Sequence, residues 1–218
     1  MGIITLMGST AQNNEQPCKR RRKIRFSFDV EKFADAMAFL ASRGVNQLTT
    51  MKAVKLLYFA DREHLLKYGR PILGDWYACM DHGPVPSSAY DILKQIKDPD
   101  PTVMSPTTKI VSEHITTRGT GDKYPVFVPV GEQDFDALSD SDLEILDMVV
   151  EKYGKRSAMD LSDETHKHAA WRVCREAGDH EMDYRQFFDD CDDSSDIRSL
   201  VEMEQENRDV ISLLKRHK

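Results

Sequence analysis

His166 and His168 are the first residues to examine for chemistry, because imidazoles bind transition metals and move protons near neutral pH. Cys79-x-x-His82 and Cys174 could in principle complete a metal site. The spacing argues against one. Residues two apart on a helix point to different sides, and structural zinc sites bring two close ligand pairs. Surface or core-edge histidines are the simpler account, and no metal is expected. A thiol nucleophile at Cys79 or Cys174 with a histidine base is the next candidate, but neither sits in a recognisable turn with an oxyanion hole. Each reads better as a small buried hydrophobe. Carboxylates are so numerous that paired acid–base groups discriminate nothing. No phosphate-binding glycine loop, dinucleotide fingerprint, H-E-x-x-H helix or kinase signature occurs. The expectation is a non-enzymatic chain with no catalytic residue and no cofactor.

Several positions remain that look structurally particular. Asp61 interrupts an apolar helical face, Trp76-Tyr77 precede a rigid Gly83-Pro84-Val85-Pro86 turn, and Trp171 follows Thr165-His166. One reading makes Asp61 a partnered polar group at the core edge and the aromatics core. The other makes them an aromatic-lined groove with a few polar anchors, the usual form of a protein-binding surface.

The elements that must position these residues are mostly helices. Val30, Phe33, Ala34, Met37, Leu40 and Ala41 recur at helical steps, with Asp29 as cap, Gly44 as stop and one core-facing stripe. A longer helix follows Thr49 or Thr50, with Val54, Leu57, Tyr58, Asp61, Leu65 and Tyr68 on one side and Gly69 as stop. Residues 70–80 read as turn punctuation and then one extended segment across the core. The Gly83–Pro86 turn follows, and Ser87 or Ser88 caps a helix that carries Tyr90, Leu93 and Ile96. Two β-prone patches, Lys109–Thr117 and Tyr124–Val130, flank a glycine-rich link and predict either a β-hairpin packed on the helices or a flexible insertion over about 98–132. Ser141-x-x-Glu144 predicts a capping box for the next helix, which Gly154 ends. Short helices are expected over Ser157–Lys167 and around Trp171–Glu176. A last amphipathic segment runs from Asp196 through Ile197, Leu200, Val201, Val210, Ile211 and Leu214. The predicted fold is mainly α, with a small β-hairpin insertion.

At 218 residues and a net charge of -7, the chain suits one ordinary domain with appended ends rather than a general nucleic-acid binder. The charge is uneven. Lys19, Arg20, Arg21, Arg22, Lys23 and Arg25 lie together near the start, and Asp189, Asp190, Asp192, Asp193 and Asp196 near the end. Residues 1–27 are too polar to offset chain entropy and read as a disordered basic tail; 28–180 form the domain, and 181–218 an acidic segment with the last helix. The tail alone would give only salt-sensitive, sequence-blind attraction to nucleic acid. No run reaches the roughly 20 apolar residues that span a bilayer, and the scattered Cys18, Cys79, Cys174 and Cys191 suit reduced thiols, so a cytoplasmic location without a membrane partner is expected.

Four segments in order resemble the SocA-like, or Panacea, antitoxin domain: Lys52–Asp61 (K-A-V-K-L-L-Y-F-A-D), Tyr68–Ile72 (Y-G-R-P-I), His82–Pro86 (H-G-P-V-P), and Leu161-Ser162-x-x-Thr165-His166 with Trp171. The positions that carry the signature are Lys55, Leu56, Leu57, Tyr58, Phe59, Gly83, Pro84, Thr165 and His166, together with His82 and Trp171. Coverage is roughly 29–178, apart from the insertion. The resemblance implies a helical antitoxin of bacterial or phage origin that neutralises a cognate protein toxin by contact, with no catalytic residue to carry over. Toxin contact is expected around the turn, at Tyr58, Asp61, Trp76, Tyr77, His82 and Trp171. The second reading is an adaptor that delivers the toxin to a Clp-type protease through a mobile tail, or a DNA-linked regulator. No additional helix-turn-helix is visible, so repression of its own promoter is not expected.

Overall fold

The computed structural model describes residues 23–100, 102, 104–119, 124–191 and 195–216, with side chains described as far as Arg208. Four of the basic residues, Lys19 to Arg22, and the tail before them lie outside the described residues. The glycine-rich link at 120–123, Asp192 and Asp193 of the acidic segment, and the side chains of Val210, Ile211 and Leu214 also lie outside them.

Asp29 accepts from Lys32 N at 3.1 Å and starts α1, Val30–Ser42, as its sequence predicts. Thr49 does the same for α2, Thr50–Tyr68, and Gly69 closes it in the left-handed region. Neither helix has a single buried stripe. Phe33–Leu40 of α1 and Lys52–Arg62 of α2 are buried on every side, because these two helices form the centre around which the others pack. Two lysines enter that centre because their ammonium groups find backbone oxygens: Lys52 Nζ donates to Asn46 O at 2.5 Å and Gly154 O at 2.7 Å, and Lys55 Nζ to Pro84 O at 2.8 Å.

β1, Tyr77–Met80, and β2, Gly83–Pro86, pair antiparallel in the register Tyr77↔Pro86 to Met80↔Gly83. The sequence had suggested one extended segment and a turn; two prolines in β2 concealed this first hairpin. α3, Ser87–Lys97, is capped neither by Ser87 nor by Ser88. Pro86 holds the N-cap position, and the carboxylate of Asp75, from the loop before β1, accepts from Ala89 N at 2.9 Å.

The predicted strand at Lys109–Thr117 is mostly helix. Ser105 caps α4, Pro106–His114, and Pro106 occupies its first position, where a missing amide costs nothing. The strand begins only at Ile115: β3, Ile115–Arg118, pairs with β4, Val126–Pro129. The insertion therefore does form a hairpin, packed on α1 and joined to a helix.

In α5, Asp140–Tyr153, the capping box is Ser139 with Asp142, two residues earlier than predicted. Asp142 is buried among Lys32, His64 and Arg70 at 2.6, 3.0 and 3.0 Å, whereas Glu144 faces outward to Lys67 and Tyr68. Burial alone would raise the Asp142 carboxyl; the hydrogen bonds from His64, Lys32 and Ser139 outweigh it and hold the group far below the usual carboxylate range.

α6, Ala158–Thr165, and α7, Ala169–Glu176, follow, then a 3-10 turn at Tyr184–Phe188 and α8, Ser195–Arg216. Tyr184, Phe187 and Phe188 enter the same core as α2, as does Ile24 from the other end. Among the described residues the fold is mainly α with two small antiparallel hairpins.

Candidate functional site

The signature residues converge on the tip of the β1–β2 hairpin. Lys55 comes from the middle of α2, is 1% exposed, and donates from Nζ to Pro84 O at 2.8 Å. Ser162 of α6 donates from Oγ to His82 O at 2.8 Å, and Trp171 of α7 donates from Nε1 to Met80 O at 3.0 Å. Three alternate carbonyls of one hairpin are thus taken by side chains from three helices. This clamp ties three backbone oxygens at the tip to three helices and fixes the hairpin on the core.

The remaining signature positions make the clamp possible. Gly83 has φ +92°, and a Cβ there would collide with Thr165 Oγ1 and lie 2.9 Å from Lys55 Nζ, so only glycine fits. Thr165 donates back to Ser162 O at 2.7 Å. His166 stacks on Trp171 with ring centroids 4.1 Å apart, setting the angle from which the indole reaches Met80. Leu56, Leu57 and Phe59 fill the core below. Burial pushes the Lys55 ammonium down to about 7, so it is half neutral at physiological pH.

The six positions expected to meet a partner divide evenly. Tyr58, Asp61 and Tyr77 are buried. Tyr77 OH donates to Asp61 Oδ2 at 2.9 Å, while Asp61 Oδ1 accepts from Leu73 N at 2.8 Å. Burial raises the Asp61 carboxyl to about 7 despite these two hydrogen bonds. Tyr58 OH shares a 2.9 Å hydrogen bond with His168 Nδ1, whose ring burial lowers to about 4 and keeps neutral. These groups hold α2 to the hairpin and to α7; they have no surface to give a partner.

The other three reach solvent. Trp76 is 46% exposed, His82 stands exposed at the turn, and Trp171 is half-buried. Sequence reasoning missed Met80, which is 54% exposed, although Trp76-x-Ala78-x-Met80 has the period of two that puts all three on one face. Val85 lies opposite Ala78 on that face. Trp76 also borders a cavity of about 100 Å³ lined by Ile24, Phe26, Phe28, Asp75 and Tyr184.

His166 and His168 do point to different partners, Trp171 and Tyr58. Among the described residues no three His, Cys, Asp or Glu side chains are grouped so as to hold a metal. Lys23 and Arg25, the described members of the basic cluster, lie against Asp179 and Glu181 at 3.7 and 2.7 Å, so these charges are matched within the fold. No helix among the described residues is long and apolar enough to cross a membrane.

No curated protein and no solved structure matches the chain. Residues 54–172 match the family model described as antitoxin SocA-like, Panacea domain. That stretch holds every residue of the hairpin clamp and more than half of the chain, and the chain belongs to the SocA-like Panacea antitoxin family.

Proposed function

We propose that this chain is an antitoxin that neutralises a cognate protein toxin by direct contact, without catalysis, in the cytoplasm of a bacterium or a phage-infected cell. The toxin docks on the outer face of the β1–β2 hairpin, with Trp76, Met80 and His82 from the hairpin and the exposed edge of Trp171 beside them. The observation that carries this reading is the exposure of Trp76 and Met80 on a hairpin otherwise tied down by three side-chain hydrogen bonds. A pre-set surface loses little entropy on association, and large side chains with few rotamers concentrate affinity.

The test is co-expression with the product of the adjacent reading frame. The expected outcome is that the neighbour alone stops growth, that this chain restores it, and that the two proteins co-purify at one-to-one stoichiometry. A neighbour that is harmless alone, or toxicity that persists despite co-expression, overturns the proposal. Toxin half-life measured in the same cells should be unchanged or longer; a shortened half-life would replace simple blocking by delivery to a Clp-type protease.

A further inference from the structure

α8 has two apolar sides, and the fold covers one of them. Ile197 and Val201 pack against Gly69 at the end of α2, Gln205 Oε1 accepts from Arg25 N at 3.4 Å, and the Arg208 guanidinium lies 5.6 Å from the Phe26 ring centroid. These positions, three or four apart, form the side of the helix that faces the body. At about 100° per residue, Leu200, Met203 and Asn207 fall on the opposite side. Leu200 is 56% and Met203 52% exposed, and Asn207 is exposed with them. In the sequence the same steps continue to Val210 and Leu214, which gives the seven-residue repeat of a helix–helix seam. Single exposed apolar side chains are ordinary on a protein surface, but a stripe at this spacing, opposite a buried one, is what a partner helix covers.

Charge names the partner. Asp196, Glu204 and Glu206 flank the stripe in the first half of α8, whereas Lys215 and Arg216 end the helix and Lys218 follows. A helix acidic at one end and basic at the other is complementary to itself only when reversed. Two parallel copies would set like charges together; two antiparallel copies set each acidic half against the other's basic half. Opposed helix dipoles act in the same sense. Because the stripe points away from the body, a twofold axis through the seam leaves the two bodies on its outer sides.

We propose that this stripe is a dimerisation surface whose partner is α8 of a second copy of this chain, packed antiparallel. Leu200 and Met203 of each copy lie against the second half of the other. Asn207 places one polar group in the apolar seam, which selects the register at a cost in stability. The seam is short, so the dimer is weak and concentration-dependent. Its formation does not depend on the antitoxin reading.

The experiment is sedimentation velocity on the full chain, with dithiothreitol present so that no intermolecular disulfide contributes, over a concentration series reaching about 0.5 mM. The expected result is a shift from the 25.0 kDa monomer to twice that mass. Leu200→Glu/Met203→Glu should weaken association at least about 30-fold with unchanged circular dichroism. Glu204→Lys/Glu206→Lys at low ionic strength reads the direction: an antiparallel pair loses about tenfold, a loss that fades in high salt, whereas a parallel pair keeps like against like and is unchanged. A monomer at every concentration, or a dimer insensitive to either double substitution, would overturn the proposal.

Discussion

The two hairpins have strands of equal length and the same antiparallel pairing, and both bury side chains in the core, yet only the first carries a polar clamp at its tip. β3–β4 is anchored through apolar side chains: Ile115 and Phe127 are buried in the core, and Phe127 N donates to Leu48 O at 2.8 Å. β1–β2 is anchored at its tip by polar groups, with Lys55, Ser162 and Trp171 on successive alternate carbonyls. An apolar anchor tolerates exchange of one hydrophobe for another of similar size. A polar clamp does not, because each donor must meet its acceptor at hydrogen-bonding distance. The signature positions lie on the first hairpin and its supports, while the family match over residues 54–172 spans both hairpins.

The contrast is sharpest at two glycines, Gly83 with φ +92° and Gly119 with φ +86°. Gly83→Ala must absorb both backbone strain and a collision with Thr165 and Lys55, and should cost more than about 3 kcal/mol in urea unfolding. Gly119→Ala faces the strained backbone and should cost about 1–2 kcal/mol. Equal losses at the two sites would break the distinction between the hairpins.

The next effect is a pH dependence specific to the clamp. The folded pKa of Lys55 is depressed to about 7 from an unfolded 10.5, so its stability contribution is complete above 10.5 and falls as pH falls towards 7. From pH 7 to pH 9 stability should rise, with Lys55 contributing on the order of 2–3 kcal/mol. Lys52, also lowered by burial, adds in the same direction. Lys55→Met should remove most of this slope, and a fully retained slope would contradict the placement of Lys55. Asp61 acts in a different window: its folded carboxyl is raised to about 7, so its contribution is present below about pH 4 and is lost as pH rises to 7.

The smallest effect expected is at Trp171. Trp171→Phe keeps the ring but deletes the donor to Met80 O, and should cost about 1 kcal/mol of stability. Phe127→Leu in the other hairpin should cost a similar amount by lost packing, but leave toxin affinity unchanged.

Much of the fold was legible because its signals are local. The cap at Asp29, the Thr49 start and Gly69 stop of α2, and the mainly α character all follow from short-range patterns. What failed depended on distant partners. α3 and α7 have no side-chain cap of their own; Asp75 and Asp190 supply carboxylates to Ala89 N and Ala169 N from other parts of the chain. The Ser139 box displaced the Ser141 one because Asp142 is drawn to Lys32, Arg70 and the His64 ring, from two other helices or the loop after them. Of the six positions expected at a contact surface, Trp76 and His82 are exposed and Trp171 is half-buried. The inward direction of Tyr58, Asp61 and Tyr77 was not legible, since periodicity shows which residues share a face but not what covers it.

If the first hairpin, held rigid by its clamp, is the surface that meets the toxin, substitutions on its outer face must weaken binding and those on the second hairpin must not. The most direct measurement is toxin affinity by calorimetry for Trp76→Ala/Met80→Ala and for Thr116→Ala, which changes an exposed residue of the second hairpin. Circular dichroism on each variant checks that it is folded. A loss of at least about 30-fold, near 2 kcal/mol, is expected for the first, with native dichroism, and no change for the second. A folded Trp76→Ala/Met80→Ala variant that binds as tightly as the wild type would contradict that placement.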